Sequence, residues 1–181
     1  MTDVSDRLSW PHHPFWDFSL RVYGSEGVAP ACLQLQEAHG IDVNILLLCC
    51  WLGASGRGTV GPEGMAQIVE AASAWHGEIV RGLRAVRKRL KDPVGGEDRD
   101  LAESIRKQVQ KIEIDAEHIE QLMLAAAADA LPAAAPGDPA ADARANAEAY
   151  LAHLQIRSGD DDRASLQMIV AAAVGSPPDR D

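Results

Sequence analysis

Residues 41–54, IDVNILLLCCWLGA, form the most apolar run in the chain and constrain its fold most strongly. From Ile45 to Leu52 every side chain is apolar or a thiol, so a helix formed here has no polar face. Such a helix belongs inside a protein core or a membrane. The ten residues 45–54 would span about 15 Å as a helix, which is half the hydrocarbon thickness of a bilayer. We therefore expect a buried central helix, capped at its start by Asp42.

Elsewhere, apolar residues recur every three or four positions, which is the period of amphipathic helices. The pattern predicts an all-α fold: a helical bundle of about seven helices with a long antiparallel helical hairpin. We expect one helical domain over residues 1–181. Its predicted parts are an N-terminal helical trio (14–58), the long hairpin (61–131), a linker (132–139), C-terminal helices (138–175) and disordered ends (1–13 and 176–181).

The second helix of the hairpin, about residues 98–131, carries the most regular pattern. Its apolar residues alternate at spacings of three and four and form a heptad seam of Ala102, Ile105, Val109, Ile112, Ala116, Ile119, Met123, Ala126 and Ala130. Thirty helical residues reach about 45 Å, whereas a globular chain of this length has a radius of gyration of about 16 Å. The hairpin is therefore expected to protrude, to bend or to pack against a partner.

Positive charge is concentrated near the turn of the hairpin. The chain has a net charge of −10, but residues 76–111 contain 10 basic and 6 acidic side chains. A tip formed by Arg81, Arg84, Arg87, Lys88, Lys91, Arg106 and Lys107 could bind an anionic partner. Helix dipoles also favour cations at a helix C-terminus, and the tip lacks aromatic residues on which bases could stack. Solvated charge is the favoured interpretation, and nucleic-acid binding is not expected.

A second candidate site lies in the N-terminal trio. Five residues there could line a pocket for a small molecule or a reaction: Trp16, Asp17, Tyr23, Asn44 and Trp51. Asn44 stands out because it begins an otherwise apolar helix, where leucine or alanine would propagate better. It is expected to cap a neighbouring helix end or, less favoured, to face a pocket with Trp16 and Asp17.

The histidines and cysteines show no spacing typical of a metal or catalytic site. The six histidines are scattered without a shared helix face, so the sequence predicts no metal, no cofactor and no catalytic residue. The three cysteines (Cys32, Cys49 and Cys50) have no framework spacing, which favours reduced, buried thiols in the cytoplasm. No secretory signal and no apolar segment long enough to span a membrane is visible.

Several short patterns resemble a known family. They are Phe15-Trp16-x-Phe18 with Tyr23, Ala31-Cys32-Leu33-x-Leu35-Gln36, Gly40-x-Asp42-Val43-Asn44-x-Leu46-Leu47 and Trp51. Clearest over residues 15–80, they resemble an uncharacterised, conserved-hypothetical proteobacterial family known as domain of unknown function 2390. The resemblance implies a small, cytoplasmic, helical bacterial protein and supplies no activity, cofactor or catalytic residue.

Three functions stay open at this point. The leading one is a non-enzymatic interaction or scaffold protein, acting through the hairpin on a protein partner or by self-association along an exposed part of the heptad seam. The alternative is a small-molecule-binding or enzymatic pocket in the N-terminal trio. Anion or nucleic-acid binding by the basic tip is the weaker alternative. A closed N-terminal core together with an exposed apolar stripe on the hairpin would favour the first.

Overall fold

The structure, a computed structural model, describes residues 11–92, 95–132 and 134–175, and across these ranges it is helical without strands, as predicted. The helices are α1 (Pro14–Tyr23), α2 (Val28–His39), α3 (Val43–Ala54), α4 (Pro62–Trp75), a π-helical segment (His76–Val80), α5 (Arg81–Arg89), α6 (Arg99–Asp129), α7 (Pro139–His153) and α8 (Asp160–Val174). Since α4, the π segment and α5 are continuous, the described residues contain seven continuous helices. The ends predicted to be disordered lie mostly outside the described residues.

Helix α3 is the centre of the fold. Its residues from Asn44 to Gly53 are all buried. The Oδ1 atom of Asp42 accepts the backbone N–H of Asn44 at 2.8 Å, which confirms the predicted N-cap. A second buried contact fixes this end of the helix, because the backbone N–H of Asp42 donates to the Tyr150 hydroxyl of α7 at 2.9 Å.

Helices α3 and α7 cross so closely that a side chain cannot fit between them at one point. A Cβ atom added to Gly53 would lie 2.1 Å from the backbone nitrogen of Ala143. The glycine that ends the apolar run is thus required by packing and not by a left-handed backbone conformation. Asn146, on the same helix, fills the next turn and donates its side-chain N–H to the carbonyls of Cys49 and Gly58.

The N-terminal trio has a closed core. Phe15, Val22, Val28 and Leu35 are fully buried. Helix α8 packs beside α2, and the buried carboxylate of Asp162 joins the two. It accepts the Gly159 backbone N–H at 2.8 Å and the Gln34 side-chain N–H at 3.3 Å.

The hairpin pairs the continuous helix α4–π–α5 with α6. The indole N–H of Trp75 donates to the Ala116 carbonyl at 3.0 Å. Along the inner face, Ala72, His76, Val80 and Arg84 are each four residues apart. In an α-helix, positions four apart drift about 40° per step. The wider π turn reduces this drift and keeps His76 and Val80 on the side facing α6.

The three cysteines are unpaired and buried, as predicted. Burial raises the pKa of the Cys50 thiol to about 12. Such a thiol stays protonated and unreactive at neutral pH. Within the described residues, no helix has the length and apolar character required to cross a bilayer.

We expect Gly53→Ala to lower the free energy of unfolding by about 3 kcal/mol, because the new methyl group must force α3 and α7 apart. Urea unfolding followed by circular dichroism measures this. Gly82→Ala is the matched control: Gly82 lies exposed on α5 with open space around its Cα, and alanine there should stabilise by about 1 kcal/mol. Equal effects of the two changes would contradict the close crossing.

The contact between α2 and α8 is expected to make the stability of the fold depend on pH. The Gly159 N–H, then His39 and Gln34, outweigh burial and lower the pKa of Asp162. Its contribution to stability is therefore present above the ordinary aspartate pKa of about 3.9 and is lost as the pH falls through the lower pKa of the folded state.

Asp162→Asn should cost about 1–2 kcal/mol at pH 7 and progressively less below pH 4, measured by urea unfolding across pH. Asp161→Asn removes the same charge from the exposed neighbouring position. It should cost no more than about 0.5 kcal/mol. A cost for Asp162→Asn that does not change with pH would show that its charge is irrelevant.

Candidate functional site

The inner face of α6 is polar where an apolar seam would be expected. Glu113, Glu120 and Gln121 are buried on it, and Glu117 lies beside them, partly exposed. Ala116 is the one residue of the seam's central part, Ile112 to Ile119, that is buried. The heptad pattern thus correctly predicts a helix, but most of the residues in the pattern do not face the core.

Three side chains from separate elements meet at this polar face. They are Asp42 at the start of α3, His76 in the π segment and Glu120 on α6. The His76 Nδ1 atom lies 2.9 Å from Glu120 Oε1 and 3.1 Å from Asp42 Oδ2. Glu120 is completely buried, Asp42 nearly so, and the His76 side chain keeps 17% of its surface exposed. We call these three residues the polar triad.

Asn44 forms hydrogen bonds with both carboxylates of the triad. Its side-chain N–H donates to Glu120 Oε2 at 2.6 Å, and its carbonyl accepts from the Gln121 side chain at 2.8 Å. Its backbone N–H is the group that binds Asp42 Oδ1. The expectation that Asn44 caps a neighbouring helix end is wrong, because the side chain bridges to two side chains in the middle of α6.

Burial and charge act in opposite directions within the triad. Burial lowers the pKa of His76, but the carboxylates of Asp42 and Glu120 outweigh burial and raise that pKa to about 10. Burial raises the pKa of Glu120 to about 7, against the opposing influence of His76. The His76 ring is therefore held in its protonated form beside Asp42, whereas burial favours the neutral form of Glu120.

The basic tip is partly neutralised by the same helix. Arg84 donates to Glu113 at 3.1 Å and to Glu117 at 2.7 Å, and Arg87 is paired with Glu113. Arg106 is paired with Glu103 one turn away. The other cations predicted at the tip are exposed, namely Arg81, Lys88, Lys91 and Lys107. Two of the seven predicted tip residues, Arg84 and Arg87, therefore join α5 to α6, and Arg106 is paired within α6.

The five residues predicted to line a pocket make separate contacts. Trp16 stacks on His118 of α6 at a centroid distance of 4.0 Å. Asp17 binds His12 at the surface, Tyr23 is 38% exposed, and Trp51 packs against Phe15 in the core. Only Asn44 reaches the polar triad.

A cleft of about 830 Å³ lies at the C-terminal end of α6, away from the basic tip. None of the five residues predicted to line a pocket lines this cleft. Its walls include Leu52, Val60, Gln67 and Leu131, and Arg57 pairs with Asp129 beside them. The glycine-rich turn after α3, which includes Gly56 and Gly61, forms part of this wall.

The outer face of α6 carries an exposed apolar stripe. Leu101, Ile105 and Ile112 are 66%, 52% and 53% exposed, and Ile119 and Met123 are partly exposed. Successive spacings of four, seven, seven and four place these five residues on one side of the helix. We call these five residues the outer stripe. Ile114 is also exposed, but it lies about 160° around the helix from Ile112.

Sequence reasoning named none of the three triad residues as site residues, and it assigned Asp42 only a capping function. Their positions, 42, 76 and 120, are too far apart in the chain for any local spacing to join them. The usable signal was Asn44, a polar residue in an apolar helix that needed a buried polar partner.

We expect Asn44→Ala to lower the free energy of unfolding by about 2–4 kcal/mol, because it leaves Glu120 Oε2 and the Gln121 amide buried without partners. Gln108→Ala, which removes an exposed amide from the same α6, is the control and should change stability by less than about 0.5 kcal/mol. Chemical denaturation measures both. A small cost for Asn44→Ala would mean that water replaces its contacts and that the triad is open to solvent.

Comparison with known proteins supplies a family without an activity. No curated protein and no solved structure matches the chain. The family model described as "Protein of unknown function (DUF2390)" matches residues 14–124. This range covers well over half of the 181 residues and contains Asp42, His76 and Glu120. The chain therefore belongs to the DUF2390 family of proteins of unknown function.

Proposed function

We propose that this protein is a helical interaction module that pairs with a second copy of itself through the outer stripe of α6. The observation that carries the proposal is the position of the heptad seam. Its large residues Ile105 and Ile112 face outward, while the residues buried on the core side of the same helix include the carboxylates Glu113 and Glu120. Apolar residues in a sustained heptad pattern are the surface that a second helix covers.

The outer stripe is long enough for helix pairing. From Leu101 to Met123 it extends about 33 Å along α6. Val86 on α5 and Ile79 in the π segment are also 49% and 39% exposed, so the preceding helix of the hairpin adds apolar surface. The N-terminal trio, in contrast, has a closed core. These features favour interaction through the hairpin over a pocket in the trio.

Charge along α6 favours a second copy in antiparallel orientation. Residues 99–111 contain four basic and two acidic side chains, a net charge of +2, whereas residues 112–129 contain five acidic side chains and no lysine or arginine. The outer stripe is centred on Ile112, where the charge changes sign. Antiparallel pairing about this point places the basic half of each copy against the acidic half of the other.

One ion pair across this interface can be specified. Pairing centred on Ile112 brings residues whose numbers sum to about 224 opposite each other. Lys111 and Asp115 are four residues apart and lie on the same flank of the outer stripe. Lys111 of each copy then lies within one helical turn of the position of Asp115 in the other copy.

Exchanging exposed isoleucines tests the proposal. The wild-type chain should dimerise with a dissociation constant in the micromolar range. The double variant Ile105→Gln, Ile112→Gln should raise this constant by about 100-fold or more, because each copy loses two apolar side chains that the dimer interface would bury. Sedimentation equilibrium over a range of concentrations measures this. Ile114→Gln is the matched control on the other side of α6 and should leave the dissociation constant unchanged.

A charge exchange tests the orientation. Lys111→Glu alone and Asp115→Lys alone should each weaken self-association, because each places like charges together. An equimolar mixture of the two variants should restore it, since both ion pairs of the mixed dimer then join opposite charges. Two weak variants that stay weak when mixed would exclude the antiparallel arrangement, and a wild type that is monomeric at every concentration would exclude the proposal itself.

The three reduced, buried thiols support a reducing compartment such as the cytoplasm as the place where the protein acts. The basic tip is a second candidate surface for an anionic partner. The cations that it exposes to such a partner are Arg81, Lys88, Lys91 and Lys107. With Arg84, Arg87 and Arg106 already paired to carboxylates, this reduced set is a weaker basis for function than the outer stripe.

A further inference from the structure

The polar triad has the geometry of a metal site as well as that of an ion pair. The ligand atoms of Asp42, His76 and Glu120 lie within 4.8 Å of one another, and both carboxylates converge on the same imidazole nitrogen, Nδ1. Imidazole nitrogen and carboxylate oxygen are donor atoms with which proteins bind first-row transition-metal ions.

Each carboxylate is held so that one oxygen stays available. Asp42 Oδ1 is bound by the backbone N–H of Asn44, and Glu120 Oε2 is bound by the side-chain N–H of Asn44. The remaining oxygens, Asp42 Oδ2 and Glu120 Oε1, are the two that face His76. Outer hydrogen bonds of this kind fix the orientation of metal-ligating carboxylates. One residue, Asn44, thus positions both oxygens.

One imidazole N–H cannot satisfy both of these oxygens. A single hydrogen on Nδ1 is directed to Glu120 Oε1 at 2.9 Å. Asp42 Oδ2, although 3.1 Å from the same nitrogen, is fully buried and accepts no hydrogen bond. A buried carboxylate oxygen without a hydrogen bond is rare and unfavourable. It is aimed at the point where a shared cation would sit.

We propose that Asp42, His76 and Glu120 bind a divalent first-row transition-metal ion such as Zn²⁺, with Nδ1, Oδ2 and Oε1 as ligands. Zinc binds imidazole nitrogen and carboxylate oxygen at about 2.0–2.2 Å, so tetrahedral ligands lie about 3.3 Å apart. The two spacings at Nδ1 need to open by only a few tenths of an ångström. An imidazole ligand favours Zn²⁺ and its neighbours over Mg²⁺ and Ca²⁺.

The site has a route for exchange and an open coordination position. His76 is the most exposed of the three triad residues, and it lies in the π segment that faces α6. Three protein ligands leave the fourth position of a tetrahedral ion for water. The ion would join α3, the π segment and α6 at one point.

Titration of the intact chain with ZnCl₂ by isothermal calorimetry tests the proposal. One ion should bind per chain, with a dissociation constant in the micromolar range or below. Asp42→Asn, His76→Gln and Glu120→Gln should each weaken binding by about 100-fold or more. Asp42→Asn keeps a side chain that can cap α3, so its effect reports the lost ligand and not a lost helix cap.

His153→Gln and His12→Gln remove exposed histidines far from the triad in the chain and should leave the dissociation constant unchanged. The absence of stoichiometric binding to the wild type, or equal binding by wild type and Glu120→Gln, would overturn the proposal. If a triad variant fails to fold, the absorption spectrum of wild-type chain loaded with Co²⁺ decides. Bands of nitrogen and oxygen ligation support the site, whereas a thiolate charge-transfer band or no band overturns it.

Discussion

The contact between Asn44 and Glu120 is the constraint on which the arrangement of the hairpin depends. Glu120 is completely buried in the middle of a 31-residue helix, and an isolated carboxylate there would be strongly unfavourable. Asn44 and His76 satisfy its two oxygens from α3 and from the π segment. This requirement fixes which face of α6 turns inward and brings three elements to one place.

The outward position of the apolar stripe follows from that choice. A helix has one inner face, and on α6 that face is occupied by Glu113, Ala116 and Glu120. The isoleucines of the outer stripe, which is centred about 70° away around the helix, are consequently left on the surface. In an ordinary monomer these residues would be expected to pack inside. The burial of charge and the exposure of isoleucine on the same helix are the features on which the proposed self-association rests.

The π segment connects the same features. In a regular α-helix, positions spaced by four rotate by about 40° per step, and the widened turn reduces this rotation along the face that carries His76 and Arg84. A π turn replaces favourable α-helical hydrogen bonds by poorer ones and is frequent at functional sites. Here it brings an imidazole to two carboxylates, which neither α4 nor α5 alone would do.

The amino-acid sequence alone was sufficient to predict the helices, the buried α3 with its Asp42 cap, and the unpaired thiols. These features depend on local signals: the period of apolar residues, capping residues and the lack of a polar face. Tertiary structure alone decided which face of α6 is inside, that three of the predicted tip residues are paired, and that residues 42, 76 and 120 meet. A heptad seam reports that a helix has an apolar side but not what covers that side. Contacts between residues more than thirty positions apart leave no period in the sequence, so the polar triad was visible beforehand only as the unexplained asparagine at the start of an apolar helix.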